Sequence, residues 1–191
     1  MPENFFFDVE TQFLCYRTTE DDLLRAERIF ARDFSKSTKL NQRTVYEGHD
    51  KRMTGIVGEL AFAHYFEGRC RYVGHADIPY DFIVVDSNGK ERRVDVKTKC
   101  RNVLPQHWHE ATVPVYQSTD HFRDVDMYAF LSTRKNFELV WFCGLITKSH
   151  WEKNPKRNFL KAGTTVPSNG LLTKMDTYEL AYEELIQFPP V

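Results

Sequence analysis

Cysteine is scarce in this sequence. Cys15, Cys70, Cys100 and Cys143 are scattered, with no CxxC pair, so neither a disulfide framework nor paired zinc-ligand spacing is present. The expectation is a reduced intracellular chain with free, mostly packed thiols (in the host cytoplasm, if a phage encodes it). Long apolar runs are missing too. The longest, Leu139 to Ile146, falls far short of the roughly 20 residues of a membrane helix, so no membrane partner is expected. The start "MPENFFFDVE" has no cationic residues leading into an apolar stretch, and no signal peptide is read. There is no Gly-x-Gly-x-x-Gly, and "GIVGEL" is not followed by Lys-Ser/Thr, which excludes a phosphate-binding glycine loop and, with it, a nucleotide cofactor. No serine nucleophile elbow occurs. Repeats, low-complexity tracts and a linker that would split the chain are absent as well.

What is present suits one globular domain. The 191 residues are 41% hydrophobic and 28% charged, with 15 Phe, 9 Tyr and 3 Trp, enough for a sizeable core. The net charge of −1 hides an uneven distribution. Acids dominate residues 1–30 and the tail from Asp176, whereas residues 90–101 hold six bases against Glu91 and Asp95. A second basic cluster, Lys148, Lys153, Lys156, Arg157 and Lys161, is opposed only by Glu152. A polyanion fits such clusters without the whole protein being basic; two solvated charged loops fit them equally well.

"TTEDDLLRAERIFARDF" predicts a helix, capped by Thr19 with Asp22 three residues on, and with Leu23, Ala26, Phe30 and Phe34 as its apolar stripe. "SKSTKLNQRTVYEGHD" reads as a polar loop. "DKRMTGIVGELAFAHYFEG" reads as a second helix, with Asp50 as cap and Gly68 as stop. Strands follow at about Phe82–Val85, Arg92–Thr98, Thr112–Tyr116, Asp126–Ser132 and Phe137–Leu145. "SHWEKNPKRNF" suggests a short helix running into a basic loop, and "AGTTVPSNGLLTKMD" a surface loop. "TYELAYEELIQF" fits either one helix or a strand and a short helix. Helices, then strands, then a mixed end imply an α/β (α+β) domain around one central sheet.

The sharpest signal is "RRVDVKTK". Val94 and Val96 alternate with charge, so Arg93, Asp95, Lys97 and Lys99 share the opposite strand face. Ahead lies "YDFIVVDSNGKE", a strand and a turn. If Asn88-Gly89 formed a two-residue turn, Asp81 and Asp95 would lie on opposite faces. A three-residue loop Ser87–Gly89, with Gly89 left-handed, instead sets Asp81 directly opposite Asp95, their Cβ atoms roughly 4.5–5.5 Å apart. Two carboxylates that close repel unless a cation lies between them, and hard oxygen donors suit magnesium or manganese. The plainer alternative is that Lys97 neutralises two surface aspartates. On the second helix Gly55, Glu59, Phe62 and Ala63 share a side. Helical Gly55 and Gly58 each cost roughly 0.5–1 kcal/mol relative to alanine, which implies tight packing or access to a ligand; plain packing with Glu59 in water is the alternative.

Carried by "GELA", "PYDF" and "VDVKTK", the sequence resembles the PD-(D/E)XK nuclease superfamily, the restriction-endonuclease-like fold, over Gly55 to Lys99. Pro79 stands two residues before Asp81 rather than adjacent to it, a departure from the pattern. The resemblance implies a central mixed β-sheet flanked by helices and hydrolysis of phosphodiester bonds in DNA. One nuclease-like domain, 1–191, would have its core at about 50–146 behind an N-terminal helical segment 1–49. Asp81 and Asp95 would be metal ligands, joined by the Val96 backbone carbonyl and also by Glu59; the cofactor would be Mg²⁺, with Mn²⁺ substituting. Lys97 would position the attacking water and Glu59 would assist. DNA contacts would fall on Lys99, Arg101, Gln117, Lys153, Lys156 and Arg157, and a homodimer would suit double-strand cleavage. The competing reading is a catalytically inactive nuclease-fold module that binds DNA or a protein partner within a larger restriction, repair or phage assembly. A purely structural charged hairpin is the third. "PQHWHE" places His107 and His109 near Cys100, but with no second ligand pair it reads as a loop with Trp108 tucked into the surface. His64 reads as a half-buried packing residue.

Overall fold

Seven strands form one mixed sheet in the computed structural model, which describes residues 3–36, 42–73, 79–118, 124–165 and 173–189. Strands β1 (Phe5–Asp8) and β2 (Phe13–Arg17) are a hairpin, followed by helices α1 (Glu20–Lys36) and α2 (Gln42–Tyr65). Strands β3 (Cys70–Tyr72), β4 (Phe82–Val85) and β5 (Glu91–Cys100) come next, then β6 (Glu110–Pro114) and a 3₁₀ turn, Val115–Ser118. After β7 (Met127–Thr133) and β8 (Leu139–Thr147) come helix α3 (Lys148–Lys153), β9 (Asn158–Leu160) and β10 (Thr177–Ala181), which ends in a 3₁₀ turn, Tyr182–Glu184. The large sheet runs β1-β2-β8-β7-β5-β4-β3 and is antiparallel except where β5 meets β7. A small antiparallel sheet runs β6-β10-β9. The expected α+β architecture, a large mixed sheet flanked by helices, is what the chain adopts.

Two apolar clusters make three layers. On one face, Ala26 of α1 and Met53, Ile56, Val57, Leu60, Ala61 and Phe62 of α2 pack on Phe82, Val94 and Val96. On the other, Tyr128, Phe130 and Trp141 meet Ala111 and Val113 of β6, Leu180 of β10 and Trp151 of α3. Burying both sheet faces explains why β7 and β8 read as near-continuous apolar runs.

The five predicted strands are all present within a few residues. The capping of α1 is also as expected: the Asp22 N–H donates to Thr19 Oγ1 (3.1 Å) and the Thr19 N–H to Asp22 Oδ2 (2.9 Å). Three expectations change. Residues 5–17 are a β-hairpin, not part of a helical segment, and it extends the sheet beyond β8. Helix α2 starts at Gln42, so Asp50 is interior and caps nothing; Gln, Arg and Glu in this polar stretch are good helix formers, and polarity alone misread them as loop. Trp108 is 65% exposed rather than tucked in, while the His107 ring packs against Phe13 in a tilted arrangement, centroids 4.5 Å apart, and His109 Nδ1 accepts the Gln106 N–H. Residues 37–41 of the polar loop lie outside the described residues, as do 166–172 of the later one. "TYELAYEELIQF" resolves into β10 and the 3₁₀ turn.

Candidate active site

The β4–β5 hairpin decides where the charged row points. Gly89 takes φ +75°, its N–H donates to the Asp86 carbonyl, and Asp86 pairs with Lys90. This is the three-residue loop, and the register Phe82↔Val94, Ile83↔Arg93 and Val85↔Glu91 follows from it. One step beyond the ladder, the Asp81 N–H donates to the Val94 carbonyl (2.9 Å), which sets Asp81 beside the Val94–Val96 stretch of β5. With β3 outside β4 and β7 outside β5, the hairpin is internal to the sheet.

Each member of the row has its own environment. Arg93 forks onto Asp126 (2.9 and 3.0 Å) and reaches Asp124. Asp95 is only 5% exposed; Lys97 Nζ donates to its Oδ1 at 2.8 Å and lies 2.7 Å from its Oδ2. Asp81 Oδ2 accepts the Val96 N–H at 2.8 Å. The two carboxyl groups contact each other, and that contact is attractive only if one of them keeps a proton. Burial, the Asp95 carboxylate and the Glu59 carboxylate all push Asp81 above the usual carboxylate range, against the Val96 N–H and Lys97. Burial also raises Asp95, against the pull of Lys97.

Glu59 sits to one side of this pair. Its charge acts on Asp81, but its hydrogen bond goes to Tyr72 of β3, and it lines a cleft of about 270 Å³ with Arg25, Arg32 and Phe82. Among the described residues, no three Asp, Glu, His or Cys side chains gather closely enough to hold one metal ion. The convergence is a carboxyl pair plus an ammonium, with a third acid nearby. The Val96 carbonyl adds to it: in a strand a residue's N–H and C=O point to the same side, so this carbonyl opens toward Asp81, past the last β4 partner.

The helical glycines divide the work. A Cβ on Gly58 would collide with the Thr98 side chain, so Gly58 lets α2 press against β5. A Cβ on Gly55 would meet nothing within 4 Å. Gly55 instead faces a cavity of about 300 Å³ bordered by Lys51, Lys97, Lys99, Thr112 and Gln117.

The expected DNA contacts separate into two groups. Lys99 and Gln117 border this cavity. Lys99 Nζ donates to the Glu110 carbonyl, and burial, reinforced by Arg101, pushes its pKa down to about 8. Arg101 donates to the same carbonyl and to Tyr182 Oη, tying β5 to β6 and the last turn. Lys153, Lys156 and Arg157 lie on the α3–β9 segment, away from the cavity lining. Lys156 pairs with Glu184 (2.6 Å) and the Arg157 guanidinium lies 4.0 Å from the Tyr178 ring centroid. Sequence reasoning missed Lys51. Its signal was the i, i+4 spacing to Gly55, which puts the cation and the open glycine on one helix face, but reading Lys51 as the first residue after a cap concealed it.

No protein-family model, curated protein or solved structure matches the chain, so its function must be argued from this geometry.

Proposed function

We propose that the chain is a metal-dependent nuclease of the PD-(D/E)XK kind that hydrolyses phosphodiester bonds in DNA. One observation carries the reading: the carboxyl groups of half-buried Asp81 and buried Asp95, from neighbouring strands, meet with the Lys97 ammonium on them. A fold has no structural reason to keep two acids in contact away from bulk water, because each raises the cost of ionising the other.

The donor set fits a small hard cation. Mg²⁺ is ordinarily held by one or two carboxylates and keeps several waters, so Asp81, Asp95 and the Val96 carbonyl would hold it, with Mn²⁺ as a substitute. When bound it supplies Lewis-acid stabilisation of charge developing on the phosphoryl oxygens. The protein's own groups do the rest. Lys97, anchored by Asp95, points an N–H at the attacking water and holds it in line with phosphorus. Glu59 biases Asp81 through its charge and keeps the edge of the site electronegative. The Val96 N–H fixes the Asp81 carboxyl in its rotamer.

The test is a cleavage panel of linear, nicked, branched and single-stranded DNA with Mg²⁺ or Mn²⁺. Asp81→Ala, Asp95→Ala and Lys97→Ala should each lower the rate by about 10²–10⁴-fold, the range expected for a positioned proton-handling group, with melting temperatures still showing a folded chain. Cleavage that persists in excess EDTA defeats the reading. DNA binding without cleavage under either metal would favour the inactive module.

A further inference from the structure

Beside the carboxyl pair, with Lys97 in its wall, lies a cavity whose other lining residues the proposed chemistry does not use. Its walls bring in Lys51 from α2 and Lys97 and Lys99 from β5, and among the described residues no carboxylate borders it. Lys97 is committed to Asp95 and Lys99 to the Glu110 carbonyl. Lys51 is exposed and has no carboxylate partner among the described residues, so it is the cation left to meet an incoming anion. The inner wall has a different character, formed by Ala111, Phe130 and Tyr182, all buried. Gln117 stands at the border between the two. Its Nε2 makes one long hydrogen bond to Tyr116 Oη (3.4 Å), and its Oε1 is buried with no hydrogen-bond partner among the described residues. A buried amide oxygen without a donor is costly, and a ligand N–H would satisfy it.

A cation at the mouth, an unsatisfied amide on the wall and an apolar inner surface match the three parts of a nucleotide: phosphate, base edge and base face. The size agrees. About 300 Å³ is the lower end of the range for small-molecule pockets, roughly 300–1,000 Å³; it admits one nucleotide and not a double helix. We infer that this cavity receives a single nucleotide of the substrate, with its phosphate on Lys51 and its base against Phe130 and Tyr182 beside Gln117. The inference rests on the nuclease reading for its substrate class, and it narrows that class. The favoured DNA has an end or an unpaired nucleotide that can leave the stack, because paired bases within a duplex must first be extruded at a cost of a few kcal/mol.

The experiment uses the full chain in EDTA, so that neither metal nor cleavage enters the readout. Calorimetric titration with a deoxynucleoside monophosphate should saturate, while the corresponding deoxynucleoside and inorganic phosphate should each bind at least about tenfold more weakly, since each lacks one of the two contacts. Lys51→Ala should weaken the monophosphate about tenfold, leaving the weak deoxynucleoside binding unchanged. Gln117→Leu should weaken both nucleotide and nucleoside. Melting temperatures of both variants should stay at the wild-type value. A covalently closed circular duplex should bind about tenfold less tightly than the same circle carrying a one-nucleotide flap.

Absence of saturable monophosphate binding overturns the inference, as does inorganic phosphate binding equally well. Equal binding of the two circles, or a folded Lys51→Ala variant that binds normally, also overturns it. The two proposals fail separately: a chain that binds the monophosphate but never cuts DNA keeps the pocket and loses the nuclease.

Discussion

Two acid sites in this molecule are built in opposite ways. Asp22, in the first turn of α1, accepts hydrogen bonds from Tyr16 Oη (2.7 Å), the Thr19 N–H and hydroxyl, and His64 Nε2 (2.7 Å). Burial works to raise its pKa, but those donors outweigh it and hold the carboxyl well below the usual range. Asp81 and Asp95 have little beyond the Val96 N–H and Lys97, and they face each other; burial therefore prevails and their pKa values rise. Donors surround the one carboxylate, whereas the other two are left short of them. The difference explains why His64, which stacks on Tyr16 and binds Asp22, belongs to the structural cluster even though it shares α2 with Glu59.

Truncating one member of each cluster should separate them most clearly. Asp22→Ala strips the partner from a buried tyrosine, a helix cap and a histidine at once. It should destabilise the protein by about 3 kcal/mol, as breaking a buried charge pair does, read by urea denaturation. Asp81→Asn should do the reverse. The amide oxygen still accepts the Val96 N–H, the amide N–H can donate to Asp95, and the repulsion is gone, so the metal-free protein should gain about 1 kcal/mol. The same variant should lose the rise in melting temperature that Mg²⁺ or Mn²⁺ gives the wild type, because a ligand stabilises only a native state that can bind it. If Asp81→Asn is destabilised like Asp22→Ala, the pair is structural and the contrast fails.

The pH dependence sharpens the same contrast, with opposite signs. Asp22 has a lowered folded pKa, so its contribution is present above the unfolded value near 4 and disappears as pH falls through the folded one. The raised pKa values of Asp81 and Asp95 give stability that is complete below about 4 and declines as pH rises, up to about 8 for Asp81. His64 is raised chiefly by its hydrogen bond to Asp22, against burial; its share is present below about 6.5 and is lost as pH climbs through its folded value. Metal-free wild type minus Asp81→Asn, measured by denaturation from pH 4.5 to 8, cancels the Asp22 and His64 terms. The difference should change by at most about 1.4 kcal/mol per pH unit for each proton released. A flat difference would mean that the two carboxyl groups do not share a proton.

Much of this was legible from residues alone, for reasons that also set the limit. The turn chemistry of Ser87-Asn88-Gly89 fixes the hairpin register, and from there strand alternation puts Asp81, Asp95 and Lys97 together without any knowledge of the rest of the fold. Local rules sufficed because the interactions are local. The hairpin β1–β2 was not legible: "FFFD" has no alternation, and what holds it is distant, including the bond from Trp141 Nε1 to Asp8 Oδ2 (2.7 Å) and the pairing with β8. The inward turn of Lys99 and Arg101 was equally hidden, because it depends on β6 and Tyr182 arriving from elsewhere in the chain. The row of charge on β5 was visible; which of its members meet solvent was not.

The two glycines of α2 test whether the helix is shaped for packing or for access. At Gly58 a methyl group would collide with the Thr98 side chain. Gly58→Ala must push α2 away from β5 or force Thr98 off its rotamer, a change that overpacking studies place at roughly 1–3 kcal/mol of lost stability. At Gly55 the space is open, so Gly55→Ala should gain roughly 0.5–1 kcal/mol from helix propensity alone. That gain is forgone in the natural sequence, and the cavity supplies a reason. The added methyl projects into the space beside Lys51, so the variant should melt higher while binding a deoxynucleoside monophosphate less tightly than wild type. If Gly55→Ala gains stability and loses no affinity, the glycine is not kept for the cavity, and α2 is built for packing at both positions.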